Sequence, residues 1–302
     1  MTASDNMRGI ALTAGSMALF AFEDMFLKFA AADLPTGEIL LITCLFGMTF
    51  FGILARYEGR RTLTAVALHP WVLLRNLGEM VGTYAYITAL ASVPLATVSA
   101  VLQAMPLAVT MGAALFMGEK VGWRRWTAIA VGFAGVLVVI RPGLDGFRPA
   151  ALWVLVTVAG LSLRDLASRA IPAEISSTQV SAWGVVSVAL LGAGMMPFQT
   201  PVVLPGLWQS AMLAGALVFG TAGYWAVTQA SRTGEVSVVS PFRYSRLIFA
   251  ILLGVLVFSE PADVITLSGA ALIIGSGLYS FTRERARRRA GKRALSIQIA
   301  AE

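Results

Sequence analysis

Apolar residues run along this chain in long blocks separated by short polar stretches, and the blocks have the length of a bilayer crossing. Ten of them lie near 8–31, 36–55, 70–91, 95–117, 123–140, 149–169, 177–197, 207–230, 236–258 and 263–282. A crossing helix needs about 20 mostly apolar residues, so each block predicts one span. The connecting stretches are too short to hold a separate soluble domain. The pattern therefore predicts an all-α polytopic membrane protein with ten transmembrane helices.

The blocks also repeat. Adding 141 to a position in the first half lands on a counterpart in the second: Asp24 on Asp165, Lys28 on Arg169, Gly82-Thr83-Tyr84-Ala85 on Gly223-Tyr224-Trp225-Ala226, and Glu119 on Glu260. A unit with an odd number of spans inserts the opposite way up when it is copied. The chain then reads as two inverted five-helix repeats, residues 1–143 and 144–282, followed by a basic tail at 283–302. Inverted repeats are typical of secondary transporters, whose site lies between the halves near the midplane.

Charge supports the inversion. The loop after Glu119 is basic, with Lys120, Arg124 and Arg125, whereas its counterpart after Glu260 carries no cation. Arg56, Arg60 and Arg61 likewise face the uncharged stretch 196–201. Sixteen of the 23 Lys and Arg residues fall at one set of helix ends: Arg8, Arg56, Arg60, Arg61, Lys120, Arg124, Arg125, Arg169, Arg232 and seven tail residues from Arg283 to Arg293. By the positive-inside rule these ends, and both termini, face the cytoplasm. Arg141 and Arg148 fall in outer loops. The net charge of +7 is thus a topology signal that also contacts anionic lipid, and no nucleic-acid partner is expected.

Composition agrees: 57% apolar and 13% charged residues, against about 45–50% and 25% in soluble domains. A lone cysteine inside a span, Cys44, excludes a disulfide framework. The single histidine, His69, gives a metal site or a Ser-His pair little to build on, so no cofactor, metal or enzyme activity is expected. The first block is too long for a signal peptide, carries Glu23 and Asp24, and has a repeat partner, so it reads as a retained helix. Gly132, Gly135, Gly269, Gly275 and Gly277 are candidates for close helix packing. Trp71, Trp123, Trp126, Trp153 and Trp208 sit near helix starts, as interfacial residues do.

A charge at a helix centre costs about 2.5–3.5 kcal/mol on insertion scales. The acids Glu23, Asp24, Glu79 and Asp165, the arginines Arg75, Arg164, Arg243 and Arg246, and Lys28 therefore require partners or a wet cavity. At 1.5 Å rise per residue, Arg75, Arg164, Asp165 and Arg243 share a level in the cytoplasmic third, while Asp24 falls in the opposite third beside Lys28. Arg75 and Glu79, four apart, share a helix face. Structural pairing and cavity lining are both open readings for each of these groups. Pro241 and Pro106 interrupt the ninth and fourth spans, the latter beside Gln103, and such breaks are tolerated where protein or cavity water satisfies the freed backbone. Candidate solute contacts are Tyr84, Gln103, Trp225, Arg243, Tyr244, Arg246 and Glu79. Candidate gating or coupling groups are Asp24, Lys28, Arg75, Arg164 and Asp165.

Several stretches resemble a known family. Ala89-Leu90 through Pro94-Leu95-Ala96, then Met105-Pro106-Leu107, Gly118-Glu119-Lys120, Arg124-Arg125-Trp126, Gly132-Phe133-Ala134-Gly135 and Arg141-Pro142-Gly143 resemble the first EamA repeat of the drug/metabolite transporter superfamily. Pro241 through Arg246, with Gly254 and Glu260, is similar to its second repeat. The resemblance spans nearly the whole chain and implies ten helices around a central cavity that moves small organic solutes. Many relatives carry an arginine in the second span, where this chain has Thr43 and Cys44. Similarity to bacterial amino-acid exporters makes export of an aromatic or apolar amino acid across the bacterial inner membrane the leading expectation. Import of a vitamin, a nucleoside or a metabolite like S-adenosylmethionine is the alternative, and a lipid flippase or channel a lesser one. The proton is the candidate coupling ion, and both a monomer and a homodimer fit. The inversion itself is checked with single cysteines at Val121 and Ala262 in a Cys44→Ser background. An impermeant thiol reagent should label them from opposite faces of oriented vesicles; labelling from one face would end the inverted-repeat reading.

Overall fold

The computed structural model describes residues 3–59, 65–144, 147–172, 174–199, 203–233 and 236–301. For residues 3, 65, 231, 232, 236, 237, 284, 285 and 287–301 it describes the backbone alone. Arg60 and Arg61, and the side chains of Arg232 and of the tail arginines after Arg283, lie outside this description.

The chain is helical throughout its described length. In the first half, α1 spans Ala3–Asp33, α2 Thr36–Tyr57, α3 Pro70–Ser92, α4 Leu95–Leu102, α5 Met105–Phe116 and α6 Trp123–Ile140. In the second half, α7 spans Leu152–Ala170, α8 Ser177–Met195, α9 Leu207–Thr233, α10 Val236–Val239, α11 Ser245–Phe258 and α12 Val264–Ala301. Helix starts are written in the sequence. Pro35 and Pro94 stand at N-caps, Pro70 opens α3, and Ser176 forms a capping box with Gln179. Asp263 caps α12 through the Thr266 amide and hydroxyl at 2.8 and 3.0 Å and pairs with Arg141, which ends α6 in a left-handed conformation. Partial burial pushes the Asp263 carboxyl up, but the two Thr266 bonds and Arg141 outweigh it and hold it below the ordinary carboxylate range.

Among the described residues, nine helical segments are long and apolar enough to cross a membrane, α4 with α5 counting as one. The third of the ten predicted spans, α3, is not among them. At 23 residues it is long enough, but Arg75, Asn76 and Glu79 dilute its apolar character. The last helix also continues past residue 282 to Ala301, so the basic tail extends the tenth helix.

The main contacts join one half to the other. α1 packs on α9, α3 on α7, α2 on α8, and α6 on α12, while α5 lies on α7 as α11 lies on α1. Shifting by one half turns the first pair into the second, leaves the third and fourth unchanged, and exchanges the last two. This is the contact pattern of a two-fold axis. Even single contacts obey it: the Gly37 amide donates to Gln199 Oε1 at 2.9 Å, and Thr178, the counterpart of Gly37, donates its hydroxyl to Oε1 of Glu58, the counterpart of Gln199, at 2.9 Å.

Without water to drive association, helices in lipid are held by close packing. A Cβ on Gly160 would lie 2.6 Å from the Gly82 nitrogen, and one on Gly78 2.6 Å from the Gly160 carbonyl, so α3 and α7 touch backbone to backbone. Gly135 and Gly269 do the same for α6 and α12, with 2.8 and 2.7 Å to each other's carbonyls. Gly275, expected to join them, faces open space instead. The pair Gly160→Ala and Gly275→Ala tests this. The first should cost about 1–3 kcal/mol by overpacking, read as a lowered Tm in detergent, while the second leaves Tm unchanged.

Candidate functional site

Two polar clusters, one around a buried carboxylate and one half-buried, lie between the helices, and α3 contributes to both. In the first, Asp24 of α1 is 1% exposed and faces Arg246 at the start of α11. Arg246 Nη2 donates to both Asp24 oxygens at 2.7 Å, and Nε donates to Oδ2 at 3.1 Å. Tyr86 of α3 donates its hydroxyl to Asp24 Oδ1 and accepts from Arg246 Nη2 at 3.2 Å. The Phe20 ring covers the guanidinium, 5.5 Å from its carbon. The arrangement is a charged joint of three helices. Removing one member would strand a buried charge, at about 3–5 kcal/mol.

The second cluster lies between α3 and α7. Glu79 accepts from Arg75 at 3.1 Å and from Arg164 at 3.2 Å, and Arg164 also donates to Asp165 at 2.8 Å. Two acids and two cations balance, which is how charges persist in lipid. The Arg75 guanidinium lies against Gly184 of α8, where a side chain would collide with it. Glu79 and Tyr86 are seven residues, or about 10 Å, apart along α3, so one helix face carries both clusters.

Each half also supplies one cross-tie near a helix end. Lys28 of α1 pairs with Glu260 at 3.0 Å and donates to the Leu90 and Val93 carbonyls at 3.2 and 2.6 Å, while Glu260 accepts from the Leu95 amide at 2.7 Å. The repeat counterpart is Arg169 with Glu119, at 3.4 Å. The two differ in burial: side-chain exposures are 12% and 18% in the first pair but 51% and 48% in the second.

The broken helices meet at their breaks. α4 stops at Leu102 and α5 begins at Met105, next to Pro106; in the other half a 3-10 turn, Ser240–Tyr244, containing Pro241, precedes α11. Gln103 Nε2 donates to the Tyr244 and Arg243 carbonyls at 3.2 and 3.4 Å, satisfying backbone groups that the turn frees. Gln103 and Tyr244 are repeat counterparts, so the two interruptions touch on the two-fold axis.

The structure groups the sequence candidates differently in four places. Arg243 is exposed beside Gln103 and does not join Arg75, Arg164 and Asp165. Asp24 meets Arg246 across the bundle instead of Lys28, which turns to Glu260. Tyr84 packs edge-on against Trp153 with ring centroids 5.6 Å apart, and Tyr244 lies against Gly277. Trp225 is 61% exposed and belongs to neither cluster. Tyr86 is not among the sequence candidates, yet its seven-residue spacing from Glu79 marks it as the tyrosine on that face. Glu119 and Glu260 served only as topology markers, although each is paired through the same 141 offset with a cation. A cavity of about 500 Å³ lies away from both clusters, at the turn into α6, lined by Lys120, Trp123, Arg124, Arg125 and Arg283.

Comparison with known proteins fits this geometry. The EamA-like transporter family matches twice, over residues 7–141 and 148–282. A riboflavin transporter of Rhizobium johnstonii is 30% identical over 233 residues, 76% of each chain. An S-adenosylmethionine uptake transporter of Rickettsia felis is 24% identical over 87% of this chain and 88% of its own. A pseudopaline exporter of Pseudomonas aeruginosa is 26% identical over 88% and 93%. A solved crystal structure with 20% identity superposes with a TM-score of 0.60, covering 95% of this chain and 99% of that one, and shares the fold. With both halves matched and the cross-half pairing in place, this chain belongs to the EamA-like transporter family, the secondary transporters of small metabolites.

Proposed function

We propose that the chain imports a flat, ring-bearing metabolite of the flavin or nucleoside class across the bacterial cytoplasmic membrane, with both termini inside. The observation that carries this reading is similarity, over three quarters or more of the chain, to proteins named as a riboflavin transporter and an S-adenosylmethionine uptake transporter. It favours the import alternative over amino-acid export.

The interior chemistry supports it. A flat heteroaromatic solute wants stacking faces and donors at its edge. The Arg246–Asp24–Tyr86 joint supplies donors and acceptors at one level, with the Phe20 ring against the guanidinium. Phe22, Phe26 and Phe219 form an aromatic ladder between α1 and α9, with centroids 5.2 and 5.4 Å apart. In this reading Arg246 anchors the polar edge, Gln103 holds the two helix breaks together, and the Lys28–Glu260 and Arg169–Glu119 ties close opposite ends in turn. Movement is alternating access by rocking of the halves. A second reading, export of an amino-acid-derived metabolite, draws on the 26% identity to the pseudopaline exporter.

Purified protein in liposomes separates the two. Saturable uptake of labelled riboflavin or S-adenosylmethionine, uncompeted by aromatic amino acids, is expected; transport of amino acids alone would overturn import of ring-bearing metabolites. Arg246→Lys keeps a cation opposite Asp24 but loses the two-pronged contact. A lost charge-assisted hydrogen bond is worth about 1.5–3 kcal/mol, so uptake should fall about tenfold or more with insertion intact. Unchanged uptake removes Arg246 from the solute path.

A further inference from the structure

Glu23 lies inside α1, the site just described does not use it, and the repeat shows why it is unusual. Its counterpart in the second half is Arg164, which faces Glu79 at 3.2 Å. The counterpart of Glu79 is Gly220. The same helix contact is therefore an ion pair between α3 and α7, but a carboxyl group against glycine between α1 and α9. The contact is close: a Cβ on Gly220 would lie 2.5 Å from Glu23 Oε1 and 2.7 Å from Cδ, so any larger residue there would displace the Glu23 carboxyl from the place it occupies on α9. Two-fold symmetry is kept in the backbone and broken in the charge.

We propose that Glu23 is a proton-binding site and that transport by this chain is coupled to protons through it. The charged or titratable groups facing it are Asp24 on its own helix, Arg246 from α11 and Tyr86 from α3; α9 presents Gly220 and Phe219 there. Arg246, the one cation among them, is engaged with both oxygens of Asp24 and with Tyr86. Among the described residues Glu23 has no ion pair or hydrogen bond of its own. An ionised carboxylate at this depth is costly without a partner, and a bound proton removes the cost. When the proton leaves, the carboxylate competes with neighbouring Asp24 for Arg246. That competition loosens the joint between α1, α3 and α11, and so links proton occupancy to the relative position of the helices. The proton enters from one aqueous side and leaves to the other as the halves rock, with no bond to the solute formed or broken.

The coupling rests on the transport reading above, whereas proton binding does not, and the experiment reads them separately. Infrared difference titration of the purified protein, with no solute present, should show a neutral-carboxyl C=O band at neutral pH that Glu23→Gln abolishes and Glu23→Asp displaces. A band unchanged in both variants overturns the proposal, and the Asp variant decides it if the Gln variant fails to fold. In liposomes with riboflavin as probe, a gradient of one pH unit supports about tenfold accumulation per proton carried. Glu23→Gln should lose that accumulation yet keep riboflavin exchange. Accumulation that still follows the gradient in Glu23→Gln overturns the coupling. Loss of exchange along with accumulation would instead assign Glu23 to solute binding, and overturns it as well.

Discussion

An ionised group cannot stay alone in a bilayer, and that constraint organises this protein. Each ionic contact described in the interior, apart from the short-range links within α3 and α7, joins one half of the chain to the other. Asp24 of the first half meets Arg246 of the second, Glu79 meets Arg164, and Lys28 meets Glu260. The halves are consequently not two bundles leaning together. Each supplies the counter-charges of the other, and the principal helix pairs form between them. A half alone would carry stranded charges and uncovered glycine faces.

Helix α3 shows how the constraint becomes a site. It is too polar to count as a span by composition, yet it packs backbone to backbone on α7, with Gly78 and Gly82 against Gly160. Close backbone approach holds its register, and that register sets Glu79 between two arginines and Tyr86 between Asp24 and Arg246. The charged groups that weaken its span signal, Arg75 and Glu79, are the ones that tie it to Arg164 of α7, and Tyr86 on the same face ties it to α1 and α11. A helix made more apolar would insert more readily and connect nothing.

Much of this could be read from the residues. The apolar blocks and the 141 offset gave the ten helices and their duplication, because both are local or periodic signals. Pro106 and Pro241 marked the two breaks for the same reason, since a missing amide acts where it stands. Partner choice was less legible. Asp24 was placed by depth along a straight helix beside Lys28, but the pairing with Arg246 depends on how α11 enters after its 3-10 turn, a three-dimensional fact. Tyr84 and Tyr86 are both half-buried hydroxyls on α3, and only helical periodicity separates them, since Tyr86 alone lies on the face of Glu79. Arg243 was grouped with the wrong arginines because level along the membrane normal does not fix direction around the bundle.

The two end ties carry the symmetry to its mechanical consequence. Lys28–Glu260 and Arg169–Glu119 are the same contact read from each half, but one is largely covered and reinforced by three backbone bonds while the other is longer and half exposed. Identical ties in identical surroundings would close both ends at once and leave no route for a solute. Both ties are formed in this structure; under the alternating access proposed above, rocking of the halves would break one and keep the other. The surroundings, not the ion pairs themselves, then decide which end is shut. Because the ties are repeat counterparts, the two ends carry the same chemistry, whereas the charges between them do not: Asp24 with Arg246 and Glu79 with Arg164 map onto positions that form no ion pair.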